Sequence, residues 1–259
     1  MPTYSGIIDA IAACNEAGRL ALAVYLIHGY PSLEQSQRAY EIVQQYPSMM
    51  IECGLPVADL SAADASPPIR ESHRVASQAG LSDEEMLAFY ARYRPNLLMH
   101  QQDHQRTDFE ALRDLIQGSV DAVLTDNPAF ASVLSQTASD PTSPLVMRFA
   151  SALSETPEQT VDKHTRFIYL GVASRTGGEL LPSEQIQRAA DRVTQAAPQA
   201  KILCGLGIRT VDDVRRISRI RGVHALVIGT EAMRRLGEGL PEFERWLSDI
   251  DRALIQEPY

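Results

Sequence analysis

The strongest constraint in this sequence is a regular alternation of short, continuously apolar runs with longer amphipathic segments. Eight apolar runs read as strands, at residues 20–27, 49–53, 96–100, 122–125, 145–149, 167–172, 201–204 and 225–228. Strands without a polar face indicate a parallel sheet that helices cover on both sides. Each run is followed by a helical pattern, which predicts a series of right-handed strand–helix units.

Two architectures satisfy this pattern, an open doubly wound sheet and a closed barrel. Eight units in 259 residues is the usual size of a (β/α)8 barrel. An open sheet more often carries a glycine fingerprint after its first strand, whereas here the residues are His28, Gly29, Tyr30 and Pro31. We therefore predict one α/β domain over residues 1–259, a single TIM barrel. It should have an extra helix before the first strand and a short phosphate-binding helix after the eighth.

Composition and charge exclude several classes of function. With 33 acidic and 24 basic residues the net charge is −9, which disfavours a general surface for nucleic acids or anionic membranes. Cys14, Cys53 and Cys204 are far apart, so neither a disulfide framework nor a zinc site is expected. No basic leader or membrane-length apolar run is present, which predicts a cytoplasmic protein. No cofactor is expected.

A carboxylate stands at the end of the second apolar run. The C-terminal ends of barrel strands form the mouth in which active sites lie. Glu52 is embedded there in apolar sequence, and desolvation would raise its pKa and suit it to proton transfer. A buried glutamate paired with an arginine for structural reasons is an alternative of equal weight. The loop at 57–68 carries Asp59 and Asp64 and is long enough to be a mobile lid.

Glycine turns follow three successive strands near the end of the chain. They lie at 174–178, at 205–207 and at Gly229–Thr230, where a short helix begins. Glycines let backbone N–H groups approach an oxyanion, and a helix N-terminus adds a positive dipole. Turns needed only for tight connections would explain any one of them, but explain the set less well. The set predicts a phosphate site.

Several motifs, in order and with matching spacing, resemble the tryptophan synthase α-subunit family, barrel lyases that act on indole-3-glycerol phosphate. The motifs are VYLIHGYPSLEQS, IECGLPVAD, PNLLM, VDAVLTDNP, FIYLGVASRTGG, CGLGIRTVDDV and VIGTEAM, and they extend over nearly the whole chain. The resemblance implies the barrel fold. It also implies cleavage of the substrate to indole and glyceraldehyde 3-phosphate, and a β-subunit as a candidate partner.

The resemblance also implies roles for individual residues. Glu52 matches the catalytic glutamate, which works at the glycerol hydroxyl and in proton transfer with the indole. Asp64 corresponds best to the second acid, which binds the indole N–H, with Asp59 as its competitor. Tyr169 matches a tyrosine near the glutamate. The positions that match phosphate contacts are Gly178, Gly207, Gly229 and Thr230.

Two loops depart from the family pattern. The loop at 58–68 is longer and lacks the shaping proline and glycine, and Arg175 to Gly178 replace a Val-Thr-Gly order. Three functions therefore stay open: the family's lyase reaction, a diverged enzyme for another phosphorylated substrate, and a non-catalytic barrel that binds a β-subunit. A Schiff-base aldolase is not expected, because Lys163 and Lys201, the two lysines, are not at the mouth.

Other charged or titratable residues near strand ends allow weaker interpretations. The pair His100 and His104 lacks a third ligand with metal-site spacing, so no metal is expected there. Arg148 and Arg175 either bind a second anionic group or are surface charges, and Arg209 is expected to be a surface charge. An acid–base role or a solvated loop position is more consistent with the histidines, His28 included.

Overall fold

The computed structural model, described for residues 6–61, 65–104, 106–137, 140 and 143–255, contains one parallel sheet of nine strands. The strands are β1 Ala21–Leu26, β2 Met49–Gly54, β3 Asn96–His100, β4 Ala122–Thr125, β5 Leu145–Val146, β6 Arg148–Ser151, β7 Phe167–Gly171, β8 Lys201–Gly205 and β9 Ala225–Ile228. Their spatial order is β5-β4-β3-β2-β1-β9-β8-β7-β6, and every pairing between them is parallel.

The two ends of this order meet at Met147, the single residue between β5 and β6. The N–H of Met147 still donates to the carbonyl of Val123 on β4, at 2.8 Å. β5 and β6 therefore act as two parts of one barrel strand, and the expected TIM barrel is confirmed. Arg148 lies inside this strand and not at its end, because the strand continues to Ser151.

Ten helices in the described part of the chain surround the strands. They are α1 Ile7–Glu16, α2 Leu33–Val43, α3 Pro67–Ser77, α4 Asp83–Tyr90, α5 Phe109–Ile116, α6 Pro128–Gln136, α7 Ser183–Ala196, α8 Val211–Ser218, α9 Thr230–Glu238 and α10 Leu240–Ala253. α1 is the extra helix before the first strand, and α9 is the short helix after the last. None of the helices described is both long and apolar enough to cross a membrane.

One expected helix is wrong. The pattern at 157–164 predicts a helix, but only the 3-10 turn Pro157–Thr160 forms there. The side chain of Asp162 accepts hydrogen bonds from the backbone N–H groups of His164 and Thr165, at 2.8 and 3.0 Å. Such local bonds offer the backbone an alternative to helical bonding, and so they end the helix.

Strand alternation divides the core into two layers. Side chains such as Ala23, Met50 and Leu203 fill the barrel interior, whereas Val24 and Ile51 face the helices. Because both layers are apolar, polar side chains on the strands are concentrated where the barrel opens. This opening at the C-terminal ends of the strands is the place for a functional site.

The outer layer can be tested through Phe243 of α10, which is completely buried. We expect Phe243→Ala to lower the free energy of unfolding by about 3–5 kcal/mol, through lost burial and a residual cavity. Phe149→Ala removes the same atoms from a residue that is 46% exposed, and should cost less than half as much. Urea unfolding followed by circular dichroism measures both values. Equal losses would contradict the burial of α10.

Candidate active site

A cavity of about 410 Å³ opens at the C-terminal ends of the strands. One part of its wall is apolar and consists of Ile69, Met99, Leu124, Phe149, Leu206, Ile208 and Val227. Another part is polar or rich in glycine and consists of Ser174, Thr176, Gly177, Gly207, Gly229 and Thr230. Tyr25, Glu52 and Tyr169 also line the cavity, from β1, β2 and β7. Such a cavity suits a ligand that has an apolar body and an anionic end.

Glu52 is the most perturbed acid of the site. It is 4% exposed, and burial raises its pKa to about 8. None of the ion pairs found in the described part of the chain includes it, so no arginine compensates its charge. The structural alternative of a buried glutamate–arginine pair is therefore not what the described residues form. A carboxyl group with this pKa is protonated at neutral pH and can give and retake a proton.

The hydroxyl of Tyr25 is held by His73 of α3. The N–H of Val57 donates to Nδ1 of His73 at 3.2 Å, so a neutral His73 carries its proton on Nε2. Nε2 lies 2.6 Å from the Tyr25 oxygen, which accepts this proton. Burial lowers the pKa of His73 to about 4 and keeps the ring neutral. The hydroxyl proton of Tyr25 is then available to an acceptor in the cavity.

Two glycines make room for the two tyrosines beside Glu52. A Cβ on Gly54 would lie 2.3 Å from the Tyr25 oxygen, and one on Gly205 would lie 2.0 Å from the Tyr169 oxygen. Each tyrosine side chain therefore occupies space that the Cβ of any residue other than glycine would fill at position 54 or 205. Burial, and next the charge of Glu52, raises the pKa of both tyrosines well above the usual value. Both hydroxyls thus remain protonated hydrogen-bond donors.

The polar end of the cavity presents backbone groups. Leu206 and Gly207 both have positive φ, 69° and 77°, and a Cβ on Gly207 would lie 2.7 Å from the Cβ of Ala173. Gly229 precedes α9, and no side chain caps the start of that helix. Backbone N–H groups without partners at a helix start form an anion site together with the helix dipole.

Most of the residues expected from the sequence come together here. Glu52, Tyr169, Gly207, Gly229 and Thr230 all line the cavity. Gly178 does not line it, because its N–H donates to the carbonyl of Arg175 at 3.0 Å, and Gly177 takes the lining position. Asp64 lies outside the described residues. Asp59 is exposed and is not part of the described cavity wall.

The other candidate residues divide into two groups. Arg175 and Arg209 line the cavity, although Arg209 was expected to be a plain surface charge, whereas Arg148 is exposed and outside the described wall. The histidines bond elsewhere: His28 to Ser36, His100 to Thr125 and His104 to Asp83. Among the residues that the structure describes, no three His, Cys, Asp or Glu side chains form a group that could hold a metal ion.

Sequence reasoning missed Tyr25, His73 and Gly54. Tyr25 could have been found from strand alternation, because β1 pairs it in register with Glu52. His73 carries no comparable signal. Its contact with Tyr25 depends on where α3 packs, which neither spacing nor composition specifies.

The fold and the cavity together define a barrel protein with a buried acid and a cavity that is lined at one part by glycines. The sequence model of the tryptophan synthase alpha chain family matches residues 11–253, and the chain belongs to this family.

Individual relatives are distant in sequence but similar over their full length. The tryptophan synthase alpha chain of Synechococcus elongatus is 27% identical, and the match covers 98% of both chains. That of Mycobacterium marinum is 24% identical over 94% of this chain and 93% of the relative. A chain of Mycobacterium tuberculosis tryptophan synthase superposes with a TM-score of 0.80 at 19% identity, covering 98% of this chain and all of that one. The last similarity concerns the fold alone.

The raised pKa of Glu52 leads to a prediction about how the stability of the protein depends on pH. Its folded pKa of about 8 lies above the ordinary glutamate value of 4.5, so the folded state binds the proton more tightly, and stability falls as pH rises between these values. Glu52→Gln removes this loss. We therefore expect the variant to gain stability relative to the parent as pH rises through this window, measured by urea unfolding.

Glu41→Gln is the control with the opposite sign. Glu41 is half-exposed, and hydrogen bonds from Gln37 and then Arg38 lower its pKa. This variant should lose a little stability relative to the parent as pH rises through the acid range. A Glu52 variant that tracks the parent at every pH would show that the carboxyl group is not buried.

The fit between Gly54 and Tyr25 can be measured by a double-mutant cycle. Gly54→Ala places a methyl group against the Tyr25 oxygen, which His73 holds in place, and should be strongly destabilising. In a Tyr25→Phe background the colliding atom is gone. The cost should then fall, with a coupling energy of about 0.5–3 kcal/mol. Additive effects on the free energy of unfolding would contradict the close contact.

Proposed function

We propose that the protein is a carbon–carbon lyase that cleaves indole-3-glycerol phosphate to indole and glyceraldehyde 3-phosphate. The observation that carries the proposal is Glu52, a buried carboxyl group with a pKa of about 8, in a cavity with an apolar and a glycine-lined part. Family membership supports the same reaction. It also supports a role in tryptophan biosynthesis and a cytoplasmic location.

The substrate fits the cavity by its two ends. The indole ring would lie against Met99, Leu124 and Phe149, and the phosphate would take N–H groups near Gly207 and at the start of α9. Gly229 and Thr230 begin that helix, and Gly177 lines the cavity at the position that the resemblance gave to Gly178. Backbone groups and a helix dipole suffice for a phosphate in a protein of net charge −9.

The reaction is a redox-neutral retro-aldol cleavage in which Glu52 moves the protons. Protonated Glu52 gives its proton to C3 of the indole ring, and the ring nitrogen becomes positively charged. The resulting carboxylate takes the proton of the glycerol hydroxyl next to the ring. The electron pair of the carbon–carbon bond then returns to the ring, which releases indole and the aldehyde.

Other residues stabilise the charges that develop. Tyr25 and Tyr169 are protonated donors beside Glu52 and favour its carboxylate form once the proton has left. Asp64 remains our candidate for the carboxylate that meets the indole N–H. A β-subunit remains the candidate partner, implied by the family resemblance.

A second candidate is a related enzyme that takes a different phosphorylated substrate. The specific observation is Arg175, a cationic side chain at the cavity in the rewritten loop after β7. This candidate keeps the same acid and the same phosphate site. It differs only in what the substrate carries besides its phosphate.

The test is the release of indole from indole-3-glycerol phosphate by the purified chain, with and without a tryptophan synthase β-subunit. We expect turnover that Glu52→Gln lowers by a factor of about 10² or more, because the general acid and base is lost. Glu41→Gln, at a residue of α2 outside the described cavity wall, should leave the rate unchanged. If no indole forms under either condition, the proposed reaction is wrong.

A further inference from the structure

A second, smaller pocket of about 230 Å³ adjoins the cavity. It is lined by Ala65, Ser66, Pro67, Arg70, Arg175, Thr176 and Gly177. Ala65 and residues 175–177 line the main cavity as well, so the two spaces share a wall. Pro67 and Arg70 line only the small pocket, whereas Gly207 and Gly229 line only the main cavity. The small pocket therefore extends from the shared wall at residues 175–177 away from those two glycines.

Two arginine side chains, Arg70 and the exposed Arg175, line this pocket. The Nε atom of Arg70 is buried and has no hydrogen-bond partner, and neither Arg70 nor Arg175 forms an ion pair within the described residues. The described pocket wall contains no carboxylate. One turn further along α3, Arg74 is paired with Glu71 at 2.6 Å. A buried donor without an acceptor is costly and calls for a missing partner.

The pocket begins where three elements meet at Gly177. A Cβ on Gly177 would lie 3.0 Å from the Cβ of Ser66 and 3.5 Å from Oγ1 of Thr230. Ser66 and Thr230 are themselves joined by a hydrogen bond of 2.8 Å between their hydroxyls. Arg175, Thr176 and Gly177 line both spaces next to this contact, so one ligand can extend from the main cavity into the small pocket.

The chemistry of the wall defines the ligand. A guanidinium group presents a planar fork of N–H donors that matches a carboxylate or a phosphate, and two of them without a counter-ion favour an anion strongly. We propose that this pocket binds a second oxyanion of the same substrate whose phosphate occupies the glycine loops. The proposal rests on the phosphorylated substrate of the proposed function. Because indole-3-glycerol phosphate has a single anionic group, this proposal belongs to the second candidate function, the related enzyme whose phosphorylated substrate carries a further group, here an oxyanion.

Calorimetric titration of the full chain with matched probes tests this directly. Glycerol 3-phosphate and glucose 6-phosphate carry a phosphate only, whereas phosphoglycolate, 3-phosphoglycerate and 6-phosphogluconate add a carboxylate at increasing separation. We expect at least one of the acids to bind roughly tenfold to a hundredfold more tightly than the neutral probes. Arg70→Met and Arg175→Met should each reduce this gain. Arg70→Met, at a residue outside the described wall of the main cavity, should also leave the affinity for glycerol 3-phosphate unchanged.

Arg74→Met is the matched control on the same helix and should keep the full gain. If no acid binds more tightly, or if the gain survives in both Arg70→Met and Arg175→Met, the proposal is wrong. Binding of glycerol 3-phosphate reports separately on the phosphate site of the proposed function. If glycerol 3-phosphate does not bind while the chain shows an Arg70-dependent affinity for sulfate, the phosphate site of the proposed function is refuted but anion binding in the small pocket is not.

The same titrations distinguish a group on the substrate from a separate small anion. Sulfate is added to the chain after saturation with glycerol 3-phosphate. Arg70-dependent sulfate binding, combined with no gain for any of the tethered acids, would mean that the pocket serves an independent anion, and the proposal of a doubly anionic substrate would be wrong. The proposal of a doubly anionic substrate is supported if the carboxylate of a tethered acid adds more to the binding affinity than free sulfate does in the same pocket. Tethering raises the effective concentration of the second anionic group.

Discussion

The burial of one carboxyl group in a closed barrel is the constraint on which this site depends. Glu52 projects from β2 among inward side chains that are mostly apolar, and no cation within the described chain compensates it. Desolvation therefore keeps it protonated at neutral pH. Tyr25 and Tyr169 complete the enclosure, and they reach it only because Gly54 and Gly205 have no side chains. The acid and its two hydroxyl neighbours thus form one packed unit.

The opposite end of the cavity is suited to negative charge by different means. Because the chain is acidic overall, the proposed recognition of an anion has to rest on local groups. Glycine turns and the uncapped start of α9 supply backbone donors at one point, and Arg70 and Arg175 supply charge just beyond it. Backbone donors require the anion to approach the chain closely, whereas a guanidinium group at the end of a long side chain can contact an anion further from the backbone. The two kinds of site can therefore lie side by side without competing for space.

Much of the fold and part of the site could be predicted from residues alone. The eight apolar runs correspond to barrel strands, and Glu52, Tyr169 and Gly207 come together as their motifs indicate. The break of one strand at Met147 was not visible, since continuous apolar sequence fits a broken strand equally well. The sequence does not reveal that Gly177 lines the cavity in place of Gly178, because this depends on the turn hydrogen bond between the N–H of Gly178 and the carbonyl of Arg175.

The sequence by itself determined the barrel, the acid and the glycine turns, because strand periodicity and the positions of glycines can be recognised in short stretches of sequence. The tertiary structure alone decided which groups share a space. His73 contacts Tyr25 across 48 positions of chain, and Arg70 and Arg175 line one pocket only because the start of α3 lies close to the loop after β7. Such contacts depend on how the helices pack against the closed sheet. That packing is determined by the whole chain and by no short stretch of sequence.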